Sequence, residues 1–174
     1  MRKEIHTPDN FNREQLLEYV RDLAKRWLAH DGLWFLAVEK KYGIKAAMEM
    51  DMKAWERFTV LEAKRIMDFL DMKPGGGIDA LQRAFSFRLY AHLNEQSVER
   101  PDEGSLILTM KTCRVQEARK RKRLPDFHCK SIGFVEYSQF AKAIDEEIAT
   151  ECIFCPPDKH PDDAYCCWRF TENE

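Results

Sequence analysis

Residues 151–170 read ECIFCPPDKHPDDAYCCWRF, and the fold turns on how this stretch is taken. IATECIF (148–154) and AYCCWRFT (164–171) are short, rich in aromatic, aliphatic and cysteine residues, and separated by the turn-forming CPPDKHPDD (155–163). Two such runs around a proline- and aspartate-rich loop predict an antiparallel hairpin closing the chain. Working backwards, SLILTMKTC (105–113) has the branched aliphatics and threonine of another strand, whereas a helix of about 132–146 carries Phe134, Tyr137, Ala141 and Ile144 on one side. RVQEARKRKR (114–123) between them reads as a basic helix.

The first half has helical periodicity. Asn12 and Gln15 form a capping-box pair ahead of a stripe from Leu16 to Leu28. HDGLWFLAVEKKYG (30–43) predicts a second helix, with Asp31 as its N-cap and Gly43 as its stop, apolar all round and hence central. Further helices are expected over about 51–71, ended by KPGGG (73–77), and from Asp79 to about Asn94. The expected fold class is therefore α+β: a helical N-terminal region (1–100) packed on a cysteine-rich lobe (101–174) with a small, mostly antiparallel sheet, together one compact unit.

Composition bounds the function. Hydrophobic residues at 44% and charged residues at 33% describe a folded, soluble chain of 174 residues, and a net charge of −2 gives no general pull toward polyanions. The longest apolar run, GLWFLAV (32–38), is too short to cross a bilayer, and MRKEIHTPDNFNRE (1–14) lacks a signal peptide's apolar stretch. A cytoplasmic location is the expectation, with no membrane partner; a homo-oligomer is compatible with the composition. Eight lysines and arginines between Lys111 and Lys130 suggest nucleic-acid binding through 114–123 as a distant alternative. No stacking aromatics interleave that run, and an acidic stretch follows at 136–163, so a solvated helix is the preferred reading.

Six cysteines in a reducing compartment point to metal binding or reactivity ahead of disulfides. Cys152 and Cys155 form C-x-x-C, a common source of two zinc ligands. On the last strand Cys166 shares a face with Trp168 and Phe170, which makes it the preferred further ligand, with Cys167 in reserve. Cys129 stands just before a helix, where it serves either as a fourth ligand or as a thiolate nucleophile. In a flat strand Cys152 and Cys155 point to opposite faces, so they converge only if the chain bends between them. A hairpin lined with inert thiols is the competing reading, and a disulfide ranks third.

A second set of candidates lies in the helices. Glu62 falls within the apolar arc of Trp55, Phe58, Ile66 and Phe69, and Arg88 and His92 fall within that of Leu81, Ala84 and Phe85. Buried charges need partners, so Glu62 is expected to pair with Arg88. With His92 they make a candidate pocket for a small polar ligand, to which His30 and Asp31 could also belong, although a helix cap and a helix end are the preferred reading of those two; a structural ion pair is the equal alternative for the pocket.

AHDGLWFLAVEKKYG (29–43), CRVQEARKRKRLPDFHCKSIGFVEYSQFAKAID (113–145) and the final hairpin resemble an uncharacterised family of prokaryotic cytosolic proteins near the L-2-amino-thiazoline-4-carboxylic acid hydrolase-like proteins. The C-terminal order of cysteine, helix, strand, cysteine pair and cysteine-bearing strand is also similar to the 4-vinyl reductase domain, an α/β module of ligand sensors. In its zinc-binding members the ligands are a cysteine before the helix, a glutamate and a cysteine three residues apart, and a last cysteine before a strand. The resemblance puts these roles on Cys129, Cys152, Cys155 and Cys166 or Cys167, with Cys152 in the glutamate's place and a longer hairpin loop. It implies a small-molecule-binding protein with a structural zinc; the first resemblance implies, as the alternative, a hydrolase acting on a small C–N bonded substrate.

Overall fold

The computed structural model describes residues 7–173, so the first six residues of the opening stretch lie outside the described residues. Five α-helices and a four-stranded sheet make an α+β fold. Helix α1 (Arg13–Tyr42) begins at the expected capping box, in which Asn12 and Gln15 satisfy each other's backbone amides. It then runs unbroken through His30, Asp31 and Gly32. A mid-helix glycine costs only about 1 kcal/mol, less than forfeiting a turn of hydrogen bonds, so Asp31 caps nothing. Nor is this helix central, because Leu33 and Trp34 are each 65% exposed. After Gly43 comes α2 (Ile44–Phe69), which begins earlier than its apolar pattern suggested and ends before KPGGG.

Helix α3 (Gly77–Phe85) is shorter than expected, and Arg88 lies beyond it at the entry of a short 3-10 turn, Leu89–His92. The expected common helical arc of Arg88 and His92 therefore does not exist. The amide of Gly77 donates to Asp145 (3.0 Å) and that of Ile78 to Glu172 (2.6 Å), tying α3 to both ends of the C-terminal part. Gly77 has φ +61°, which favours glycine, and a Cβ there would also displace the Glu172 carboxylate from the Ile78 amide.

Strand β1 (Gln96–Glu99), polar and unmarked in the sequence, pairs antiparallel with β2 (Ser105–Met110). After β2 the chain crosses through α4 (Arg114–Arg121) and α5 (Lys130–Ile144) before returning as β3 (Ile148–Phe154) and β4 (Cys166–Glu172). The sheet order is β1-β2-β4-β3, every neighbouring pair antiparallel. One face carries Leu106, Leu108, Met110, Trp168 and Phe170 into a core shared with Phe85, Tyr137, Phe140 and Ile144. On the other, Arg169 and Glu151 form an exposed ion pair.

Helix α5 lies between this sheet and α2, and the α2–α5 contact is the largest between any two elements. The close approach of α5 to β4 is set at Gly133, where a Cβ would come within 2.9 Å of the Trp168 ring. No helix is long and apolar enough to cross a membrane among the described residues.

Candidate functional site: a cavity floored by cysteines

The sulfurs are gathered by a break in strand pairing. β3 and β4 pair regularly up to Cys152–Trp168, but the next pair is Phe154–Cys167, so an extra residue bulges around Ile153. That bulge reverses the alternation of faces, and Cys152 and Cys155 both turn toward the main core. Cys129, at the N-cap of α5, and Cys166 of β4 pack on the same core. Cys167 points to the other face, 3.3 Å from the Thr109 hydroxyl.

The Sγ atoms of Cys129 and Cys155 are 3.6 Å apart, and Gln116 Nε2 approaches Cys129 Sγ at 3.7 Å. The Cys155 contact holds the Cys129 thiol below its ordinary pKa, against its burial, and Gln116 adds to the effect. Contact with Cys129, then with Cys166, drives the Cys155 thiol far upward, so of the pair Cys129 is the more readily ionised. Burial pushes Cys152 up to about 11 and Cys113 up to about 12. Among the described residues no three histidine, cysteine, aspartate or glutamate side chains already stand in a ready-made metal cage.

Above these sulfurs lies a cavity of about 470 Å³, bounded by α1, α2, the Leu89–His92 turn, α4, α5 and β4. Cys113, Cys129, Cys155 and Cys166 line it, whereas Cys152 does not. Its aromatic walls include Trp55, Tyr90 and Phe127, with Trp55 and Tyr90 stacked at 5.9 Å between centroids. Three carboxylates also line it, Asp31 from α1, Asp51 from α2 and Glu136 from α5. Burial, then the charges of Asp31 and Glu136, push Asp51 up to about 7. Asp31 is raised as well, chiefly by burial.

The chain matches the model of a family of unknown function, DUF6125, over residues 9–172. It belongs to that family. No curated protein matches it. The match spans α1 to β4, so the cavity and the cysteines beneath it both fall within the family's extent.

Glu62 and Arg88 meet in the helical half. Arg88 Nε donates to Glu62 at 2.9 Å, and Nη2 donates to Glu136 at 2.7 Å. Burial opposes the guanidinium charge, but the two carboxylates keep its pKa above the ordinary arginine value. Burial pushes Glu136 up to about 7 against the pull of Arg88. The Arg88 guanidinium also lies 4.6 Å from the Phe140 ring centroid, and its Nη1 has no partner among the described residues. None of Glu62, Arg88, His92 and His30 lines the cavity, and His30 is exposed.

Of the cavity's carboxylates Asp31 was a pocket candidate, but Asp51 and Glu136 were not, although a signal existed. Glu136 is four residues from both Ile132 and Phe140, and Asp51 four before Trp55, so each interrupts an apolar stripe as Glu62 does. In the basic helix, Arg119 is buried and holds Glu39 with two hydrogen bonds, at 2.9 and 3.2 Å, which withdraws one cation from the surface run.

Proposed function

We propose that this chain is a small-molecule-binding protein whose C-terminal cysteines hold a zinc ion at the floor of the binding cavity. The observation that carries the reading is the coincidence of the two features: Cys129, Cys155 and Cys166 line the same cavity as the aromatic walls. A cavity of this size, largely apolar with a few converging polar groups, has the character of a small-molecule site.

The donor chemistry suits a soft or borderline cation. With Zn–S bonds of about 2.3 Å, sulfurs at neighbouring corners of a tetrahedron lie about 3.8 Å apart. The Cys129–Cys155 separation of 3.6 Å is close to that edge. A lowered Cys129 thiol supplies the thiolate form that metals bind. Cys129, Cys155 and Cys166 are the inner ligands in this reading, and Cys152, which packs on the same core, is the fourth. A bound zinc would clamp α5 to the β3–β4 hairpin.

The test is metal analysis of protein purified without chelator, with thiol titration before and after chelation. Stoichiometric zinc and four thiols released by chelator are expected, and Cys129→Ser should lower both metal content and melting temperature. Metal-free protein with six freely reacting thiols, which neither binds nor is stabilised by added zinc, overturns the metal half of the reading.

One observation favours a second reading, hydrolysis of a small amino-thiazoline-type carboxylate: the thiol of lowered pKa, Cys129, faces the cavity. There Cys129 Sγ would attack the substrate carbon bonded to nitrogen, the nitrogen would leave with a proton, and water would release the product. Under this reading Cys129→Ser abolishes turnover while leaving zinc content and folding intact, the reverse of the pattern above.

A further inference from the structure

Helix α1 carries two apolar rows, and the fold uses one of them. Leu28, Phe35 and Leu36 turn to the cavity. The other row, Leu16, Val20, Leu23, Trp27, His30 and Trp34, advances by four, three, four, three and four residues. That alternation is the 3.5-residue period of a coiled-coil seam, whose side chains seat between those of a facing helix. No member of the row lines the cavity. Trp27 is half-buried, its ring stacked on Phe58 of α2 at 5.5 Å between centroids. The others are bare: Leu16, Val20 and Leu23 are 42%, 41% and 43% exposed, Trp34 is 65% exposed, and His30 is exposed too.

Helix α2 widens this surface. It folds back along α1 after Gly43, and the Trp27–Phe58 stack fixes which residues stand near one level. Met50 comes beside Trp34 and Leu61 beside Leu23, both of them exposed. They share one stripe of α2, on the side opposite Thr59, whose hydroxyl donates to the Glu136 carbonyl of α5. From Leu16 to Trp34 the free face is about 27 Å long, and two helices make it roughly 20 Å wide. Bare apolar surface on that scale stands at the upper end of what one folded chain leaves in water. Its footprint approaches the roughly 800 Å² per partner of a stable association.

The order of the side chains selects the occupant. Laid antiparallel on a second α1 about a point near Lys25, the row pairs Leu16 with Trp34, Val20 with His30 and Leu23 with Trp27, each twice. Every layer then sets an aliphatic group against a ring, so that large side chains fill the space beside small ones. A parallel pairing would instead crowd Trp27 on Trp27 and Trp34 on Trp34. The antiparallel arrangement also opposes the two helix dipoles. The seam is complementary to itself, as a two-fold interface requires.

We infer that the chain forms a two-fold dimer in which the α1 seams of two copies pack antiparallel, with α2 of each copy at the flank and each cavity turned away from the contact. The inference does not depend on what the cavity binds.

Sedimentation velocity on the full chain at about 50 µM should show one species of twice the chain mass. Leu16→Glu and Trp34→Lys each put a charge against an apolar neighbour of the other copy, and each alone should raise the dissociation constant about tenfold or more. Circular dichroism should remain that of the parent, because both positions are exposed. Mixing the two variants should recover a dimer, since the new carboxylate of one copy then meets the new ammonium of the other; a parallel pairing gives no such rescue.

A parent chain that stays monomeric overturns the inference, including the case in which a tagged copy retains a different protein that Leu16→Glu releases, because the seam then serves a foreign helix. A dimer that survives both variants overturns it as well, since another surface holds it. Two monomeric variants whose mixture stays monomeric overturn the antiparallel pairing.

Discussion

Arg88 shows how one side chain can hold a fold together from behind its candidate site, touching a lining residue without lining the cavity itself. Its guanidinium joins Glu62 on α2 to Glu136 on α5 across the most extensive helix contact in the molecule. Replacing it with methionine keeps the volume but leaves two carboxylates buried without a cation. Arg88→Met is therefore expected to lower unfolding free energy by roughly 3–5 kcal/mol, measured by urea denaturation. Adding Glu62→Gln and Glu136→Gln to that variant should restore a large part of the loss, because the cost lies in the orphaned charges. A loss under about 1 kcal/mol would mean that water reaches the cluster and screens it. The Glu62–Arg88 pair was legible from two charged residues on apolar stripes. The third member, Glu136, was not paired with them, since nothing local says which face of α5 meets α2.

Between elements, the contact of α5 with β4 depends on the missing side chain of Gly133. A methyl group there meets Trp168, which is wholly buried and cannot swing aside. Gly133→Ala should destabilise the chain by about 1–3 kcal/mol through overpacking, read as a lowered midpoint in chemical denaturation. Adding Trp168→Phe should relieve part of that penalty, so the two changes should couple in a double-mutant cycle. An additive cycle would show that α5 shifts along the sheet instead of clashing. The β3–β4 hairpin was visible from its loop and its apolar runs. Its bulge was not, because a bulge is a property of how two strands pair; it is this irregularity that puts Cys152 and Cys155 on one side. Similarly, α1 continues through Asp31-Gly32 although those residues resemble a helix start, since a local preference of about 1 kcal/mol yields to packing along α2.

At the scale of the whole molecule the cavity sets the response to pH. Asp51 and Glu136 are each raised to about 7 in the folded chain, by burial above all, while in the unfolded chain they titrate as ordinary carboxylates. The groups facing Asp51 are Asp31 from α1 and Glu136 from α5, with the Trp55 indole on its own helix pulling weakly the other way. A carboxylate whose pKa is raised on folding favours the native state while it is protonated there, so its contribution is lost as pH rises through the folded value. The ligand-free protein should thus melt at a higher temperature near pH 6 than near pH 8, and Asp51→Asn should flatten that slope. A melting temperature that stays level or rises from pH 6 to pH 8 would overturn the raised carboxylate values.

The sequence by itself determined the α+β class, the capping box at Asn12, the closing hairpin and the presence of charged residues on apolar stripes, because these depend on short-range periodicity and turn chemistry. Tertiary structure alone decided that Asp31, Asp51 and Glu136, drawn from three helices, share one cavity with thiols from α5 and the β3–β4 hairpin. The physical reason is that a helix's periodicity tells which face is buried but not what it is buried against. Convergence of distant side chains is fixed by the packing of α1, α2 and α5 and by a one-residue bulge, neither of which leaves a local mark on the chain.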